Sequence, residues 1–327
     1  MVYSMKNVKK YVSIDINTLS INKSISFELY IPGEKENTMK LFLAEDSVID
    51  SGIINELAKV EKLFINDKQV SKYKCFVKNN ISNISKNPNI PVEKKAELVY
   101  ESAQDTLYEI FLNPDKLADA AQTFEHVTSF VDTIYSSEQS IGSFMKVLEH
   151  DYYTNTHSIN VSIYALSLAT YLNLSKDEIE LIGHGALLHD LGKSKIPSEI
   201  INKQGKLTDT EFEIMKNHPK LGLEIALKMG IKDKIILSCI YDHHEKANGE
   251  GYPRKLTSEK TLIYGKIIAV CDVFDALTTK RSYKDPMSTF TAINLMKNQM
   301  SEHIDKELLL SFVKMMKKDL ENCCEEK

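Results

Sequence analysis

The sequence predicts a mainly α-helical protein in which a C-terminal helical bundle follows a small N-terminal α/β module. Three observations carry that expectation. Apolar residues recur at three-to-four spacing almost continuously from about residue 92 onward. Strand-like alternation is confined to roughly residues 10–80. Between the two regimes lies KNNISNISKNPNIP at 78–91, a polar run closing with two prolines, which reads as a linker.

Bulk properties bound the rest. A chain of 327 residues suffices for two domains, one with a sizeable core. Hydrophobic residues make up 43% and charged residues 27%, ordinary for a globular chain. The net charge of −5 argues against a broad basic face for a nucleic-acid polymer. No apolar run approaches the ~18 residues that span a bilayer, and the N-terminus lacks the apolar core of a secretory leader. A cytoplasmic protein without membrane association is expected. The 5 cysteines are scattered and lack metal-type CxxC spacing, so they read as reduced thiols.

In chain order, SISFELYIP alternates around Phe27, Leu29 and Ile31, and MKLFLA follows the turn-like PGEKEN. DSGIINELAKVEKLFIN then reads as a short helix and a strand. These make residues 1–90 a small α/β module for regulation or docking, with no catalytic-looking cluster. Residues 91–145 read as a helical connector. Residues 146–327 form the domain that carries the chemistry. The helices between 92 and 150 would suit a homodimer, although no clean heptad supports one.

Seven side chains in that last domain could meet at one centre: His157, His189, Asp190, His218, His243, His244 and Asp272. His157 opens HSINVSIYALSLATYL, and His189-Asp190 ends EIELIGHGALLHD. His218 is expected to close the helix begun by the capping box Thr208-Asp209-Thr210-Glu211, with Pro219 marking a break. His243-His244 end DKIILSCIYDHH, and Asp272 interrupts an otherwise apolar helix. A buried carboxylate in such a helix needs a partner, and a metal would be one. Imidazole and carboxylate together suit Fe, Mn, Zn or Ni, and the lack of cysteine argues against a structural thiolate site. A carboxylate such as Asp190 can bridge two metals, and two metals ~3.5–4 Å apart can clamp a phosphodiester for in-line attack. His126, His150, His184 and His303 read as structural histidines. Gly192-Lys193-Ser194 is not a phosphate-binding loop, because the glycine that motif needs is Leu187 here.

From His157 to Lys284 the chain resembles a known family. LLHDLGK is the signature of the HD phosphohydrolase superfamily. HHEKANGEGYP followed by IIAVCDVFDALTTKRSYK resembles its HD-GYP subgroup, bacterial phosphodiesterases that degrade cyclic di-GMP. The resemblance implies an all-helical HD-type bundle around two divalent transition metals, Fe or Mn, with a bridging hydroxide as nucleophile. It gives His157, His189, Asp190 and Asp272 to one metal and Asp190, His218, His243 and His244 to the other. It makes Asp190 and Lys193 catalytic, Lys193 contacting the scissile phosphate. It assigns Lys193, Tyr252, Asp275, Arg281 and Lys284 to substrate, with Asp275 at a guanine edge, and leaves Glu245 to order the loop or act behind a ligand. The implied product is pGpG, with GMP left open.

Two positions depart from the pattern. Where some members place a glutamate for a third metal, this chain has Tyr153, with Asp151 nearby. Asn248 replaces the usual aspartate after the HHE glutamate. Two further readings stand beside the main one: hydrolysis of another cyclic or linear dinucleotide, and a non-catalytic cyclic di-GMP-binding or adaptor protein that meets a cyclase domain through the GYP face.

Overall fold

The computed structural model describes residues 2–4, 11–33, 38–57, 59–112, 121–136, 143–144, 147–148, 156–279 and 285–324. The chain divides into two compact units, 1–102 and 103–327. Among the described residues no helix is long and apolar enough to cross a membrane.

The first unit contains a five-stranded antiparallel sheet in the order β1-β4-β3-β5-β2. Its strands are β1 (Val2–Ser4), β2 (Tyr11–Ile14), β3 (Leu29–Pro32), β4 (Thr38–Leu43) and β5 (Leu63–Asn66). The alternation read from the sequence places Phe27 and Leu29 fully inside, together with Ile25. A register shift between Leu29 and Tyr30 then buries Tyr30 as well, so Ile31 is only partly covered. Helices α1 (Ser51–Leu57), α2 (Val70–Lys78) and α3 (Ile81–Lys86) complete the unit. Phe27 meets Tyr73 and Phe76 of α2 edge-on, at 5.6 Å in each case.

The stretch at 78–91 differs from the linker expected. It contains α3, and Ile81, Ile84 and Ile90 are buried. The isoleucines are spaced for burial, and the asparagines around them serve turns: Asn80 Nδ2 donates to the Phe76 carbonyl at 2.7 Å.

The division between the units falls inside α4 (Val92–Leu112). The second unit continues with α5 (Ala121–Ile134), α6 (His157–Tyr171), α7 (Lys176–Leu188) and α8 (Ser198–Ile201). It is completed by α9 (Asp209–Met215), α10 (His218–Lys228), α11 (Lys234–Asp242), α12 (Ile263–Thr278), α13 (Thr289–Gln299) and α14 (Lys306–Cys324). Helix α6 is the axis of the bundle. Every residue from Ser158 to Ala169 is buried, as expected of a helix apolar all round, and α6 packs against α7, α12 and α14. Helix α11 is wedged between α7 and α12. This layering sets the ends of α7 and α11, the start of α6 and the second half of α12 around one point.

Caps fix where these helices begin. Ser175 with Glu178 and Thr208 with Glu211 form capping boxes at α7 and α9. The second was legible in the sequence, but its helix stops at Met215. His218 therefore opens α10 rather than closing α9. Pro219 explains this, since proline is at home in the first turn of a helix, where its missing N–H costs nothing.

Helix α14 is tied to the site-bearing part of the bundle through Asp305. One carboxylate oxygen accepts from Leu308 N–H at 3.1 Å, and the other from Lys266 Nζ at 2.9 Å and Ser258 Oγ at 2.5 Å. Burial works to raise the Asp305 pKa, but the bonds from Lys266 and Ser258 outweigh it and bring it to about 2. Asp305→Ala is expected to lower stability by about 1–2 kcal/mol in urea unfolding at neutral pH. The folded pKa lies below the unfolded value, so this contribution is complete above about pH 4. The difference between wild type and variant should shrink as the pH falls from about 4 toward 2. A difference independent of pH would contradict this account.

Candidate metal centre

The centre starts at the end of α7. His189 caps that helix, and Asp190 leads into a 3-10 turn, Leu191–Lys195. Gly192 in this turn presses against the start of α10. A Cβ there would fall 1.9 Å from the His218 carbonyl oxygen and 2.5 Å from the Gly222 nitrogen. Glycine is what lets Asp190 approach His218.

Three imidazoles are oriented in one way. Nδ1 of His189 donates to the Ala186 carbonyl at 2.7 Å, Nδ1 of His218 to Met215 at 2.9 Å, and Nδ1 of His243 to Ile240 at 2.8 Å. A carbonyl can only accept, so each Nδ1 carries the hydrogen. When such a ring is neutral, its Nε2 presents a lone pair. Burial lowers the pKa of all three, His218 to about 4, and that of His244 to about 3. The rings are therefore neutral near pH 7.

The lone pairs converge. Nε2 of His218 and Nε2 of His243 stand 3.1 Å apart, with no hydrogen to share. His189 Nε2 and Asp190 Oδ1 are buried without a hydrogen-bond partner among the described residues. Buried acceptors facing one another call for a cation between them. Three overlapping groups can supply ligand atoms lying within 4.8 Å of one another. They are His157, His189 and Asp272; His218, His243 and His244; and His189, Asp190 and His243. The donor set fits divalent metal ions.

Asp190 lies between the clusters, and its two oxygens face different ways. Oδ2 is 3.5 Å from His189 Nε2 and 3.7 Å from His157 Nε2. Oδ1 is 3.4 Å from His218 Nε2 and 4.0 Å from His243 Nε2. Burial works to raise its pKa, but the Lys193 ammonium, 2.5 Å from Oδ2, and the surrounding imidazoles hold it far below the usual carboxylate range. Asp272 reaches both sides, with Oδ1 3.1 Å from His157 Nε2 and Oδ2 3.9 Å from His244 Nδ1.

Asp275 is not at a guanine edge. It is fully buried behind His157, and its oxygens accept from His157 Nδ1 at 2.6 Å, Asn160 Nδ2 at 2.9 Å and Thr279 Oγ1 at 2.8 Å. One helical turn separates it from Asp272, so the same face of α12 meets His157 twice. Burial opposes the charged ring of His157, but Asp272 and Asp275 outweigh it and raise the pKa to about 9. Asn160, one turn after His157, is the further residue that sequence reasoning missed. Its signal was an amide in an apolar helix.

The loop after α11 holds Tyr252 over the centre. The Tyr252 ring lies 4.7 Å from the His244 ring, and its N–H donates to the His244 carbonyl at 3.1 Å. Gly251 permits this, because a Cβ there would lie 2.3 Å from the Lys246 nitrogen. Glu245 accepts from the N–H groups of Arg254 at 2.6 Å and Leu256 at 2.8 Å, so its role is to order the loop. Arg254 reaches back to Asp242, which is buried, with Nη2 2.6 Å from Oδ1. Asn248 keeps its turn by accepting from Glu250 N–H at 3.1 Å. Arg281 and Lys284 lie outside the described residues, as do His150, Asp151 and Tyr153. His184 stacks on Phe124 with ring centroids 3.6 Å apart, and burial lowers its pKa to about 3.

Residues 136–308, more than half of the chain, match the family model of the HD domain. The chain belongs to the HD domain family. Among relatives of this HD domain protein is a cyclic di-GMP phosphodiesterase of Pseudomonas aeruginosa, 34% identical over 58% of this chain and 46% of the relative. Another is a 3′3′-cGAMP-specific phosphodiesterase of Vibrio cholerae, 34% identical over 57% of this chain and 36% of the relative. The chain thus spans less than half the length of these curated relatives. A solved structure, an HDG"Y"P protein of Bdellovibrio bacteriovorus, covers 94% of this chain and 99% of its own at a TM-score of 0.64. Its 21% identity makes this a likeness of fold.

Two outcomes are expected. Asp275→Ala should weaken binding of a divalent metal by about 10–100-fold, measured by competition with a chromophoric chelator. Unchanged affinity would show that His157 needs no tether. Glu245→Ala should accelerate hydrogen exchange at the Arg254 and Leu256 amides and cost about 1–3 kcal/mol of stability. Unaltered exchange at both amides would remove Glu245 as the organiser of the loop.

Proposed function

We propose that this chain hydrolyses cyclic di-GMP at a two-cation centre. The observation that carries the proposal is the division of Asp190, one oxygen toward each cluster of imidazoles. His157, His189, Asp190 and Asp272 would hold one cation, and Asp190, His218, His243 and His244 the other. When bound, the cations supply a nucleophilic hydroxide at neutral pH and offset the charge of the phosphodiester. Fe or Mn suits this imidazole-carboxylate set.

The chain's own groups do the rest. Lys193 stands beside Asp190 in the middle of the 3-10 turn, where its ammonium can move onto a phosphoryl oxygen and stabilise the charge that develops there. Burial keeps the Tyr252 phenol protonated well above neutral pH, so it serves as a hydrogen-bond donor and an apolar wall. By the family resemblance, Arg281 and Lys284 would hold substrate phosphate or guanine. Asp275 and Asn160 hold His157 in place rather than touching substrate. The free thiols Cys75, Cys239 and Cys271 support a reducing, cytoplasmic setting.

The substrate is inferred from the curated relatives, several of which are named for cyclic di-GMP. A hybrid cyclic dinucleotide is the second reading, because three relatives are named for 3′3′-cGAMP at 31–34% identity. Parallel assays with both cyclic dinucleotides and resolved products decide between them. Metal-loaded protein is expected to open cyclic di-GMP to pGpG. Asp190→Ala should lose at least about a thousandfold in turnover while keeping the circular dichroism of the wild type. Turnover in that variant equal to the wild type, or no turnover of either dinucleotide by the metal-loaded wild type, would contradict the proposal.

A further inference from the structure

Aromatic rings continue outward from the imidazoles in a row. The His218 and His244 rings are 4.9 Å apart, and His244 and Tyr252 are 4.7 Å apart. Beyond Tyr252, at 6.4 Å and nearly perpendicular to it, stands Phe212. Phe212 belongs to α9 and is 47% exposed. It does no work in the core, because α9 buries none of its residues. Yet the helix is fixed in place. Thr208 and Glu211 cap it, and Glu211 is bonded to Lys203 Nζ at 2.5 Å. Lys216 stands 5.4 Å from the Phe212 ring centroid and is paired with Glu213 at 2.5 Å. The bundle thus holds an exposed ring next to the last ring of the centre.

We infer that Phe212 and Tyr252 form a corner that receives a nucleobase of the phosphodiester substrate. This rests on the function proposed above. A phosphate at the clustered ligands has its base one ribose away, on the side where Tyr252 and then Phe212 stand. Two perpendicular rings suit a planar base, which can lie flat against one while its edge meets the face of the other. Every base has a π-face, so such a corner supplies affinity without choosing the base. Phe212 therefore acts on cyclic di-GMP and on 3′3′-cGAMP alike, and selection between them falls to other groups.

The chain contains 0 tryptophans, so Phe212→Trp places a single indole at the corner. Its fluorescence is read in stopped flow, before turnover, on mixing the metal-loaded variant with cyclic di-GMP or with ribose 5-phosphate, which has no base. Saturable quenching is expected with cyclic di-GMP and none with ribose 5-phosphate. Phe212→Ala should raise KM about tenfold for both cyclic dinucleotides, with kcat changed by less than about twofold. Phe212→Tyr, which keeps the ring, should restore the wild-type KM. Absence of quenching together with a wild-type KM in Phe212→Ala, in a protein that hydrolyses cyclic di-GMP, would overturn the corner and leave the function intact. A KM that rises equally in Phe212→Ala and Phe212→Tyr would also overturn it, because the ring would not be the cause. Wild-type protein that neither binds nor opens a cyclic dinucleotide would overturn both.

Discussion

Two imidazole nitrogens, Nε2 of His218 and Nε2 of His243, face each other at 3.1 Å with their hydrogens committed elsewhere. The arrangement follows from the backbone. Each ring gives its Nδ1 hydrogen to a carbonyl three residues earlier, and each is too buried to take a second proton near neutral pH. Left without a cation, every buried acceptor of this kind costs about 1–3 kcal/mol. With cations, the same lone pairs become ligands. Much of the second unit is arranged to create this tension. Buried α6 sets His157 in place, Gly192 brings Asp190 against α10, and Asp272 and Asp275 grip His157 from one face of α12.

The Tyr252 side of the centre is built differently. Its groups sit on a loop, so they need tethers that a helix would supply by itself. Glu245 binds two backbone amides, Asp242 holds Arg254, and Gly251 allows the chain to pass within contact of His244. The loop is also joined to the rest of the bundle. Ala247 N–H donates to the His303 carbonyl at 2.8 Å, and Ser258 meets Asp305 at the start of α14. Helix α14 therefore bears on the position of Tyr252 although it carries no member of the centre.

Much of this was legible in the sequence. The helical bundle, the α/β module, both the alternation at Phe27 and Leu29 and the Thr208–Glu211 capping box follow from local patterns that the structure keeps. So does the gathering of the seven histidine and aspartate side chains, since unusual polar residues at helix ends and in apolar helices need one another. What was not legible depended on direction in space. The family resemblance gave Asp275 to a guanine edge, but its place one helical turn from Asp272 turns it to the back of His157. Asn160 and Phe212 were hidden because a lone amide or a lone aromatic on a helix has no distinctive spacing. The run at 78–91 looked like a linker because its polar residues outnumber the isoleucines that decide its burial.

The central proposal is that His157, His189 and Asp272 would hold one cation and His218, His243 and His244 another, with Asp190 contributing an oxygen to each. Anomalous diffraction from crystals of protein purified without chelator tests it most directly. Two peaks are expected, about 3.5–4 Å apart, one among His157, His189 and Asp272 and one among His218, His243 and His244, each adjacent to a different oxygen of Asp190. A single peak, or none in crystals grown with excess Mn or Fe, with His218 and His243 still facing each other, would contradict it.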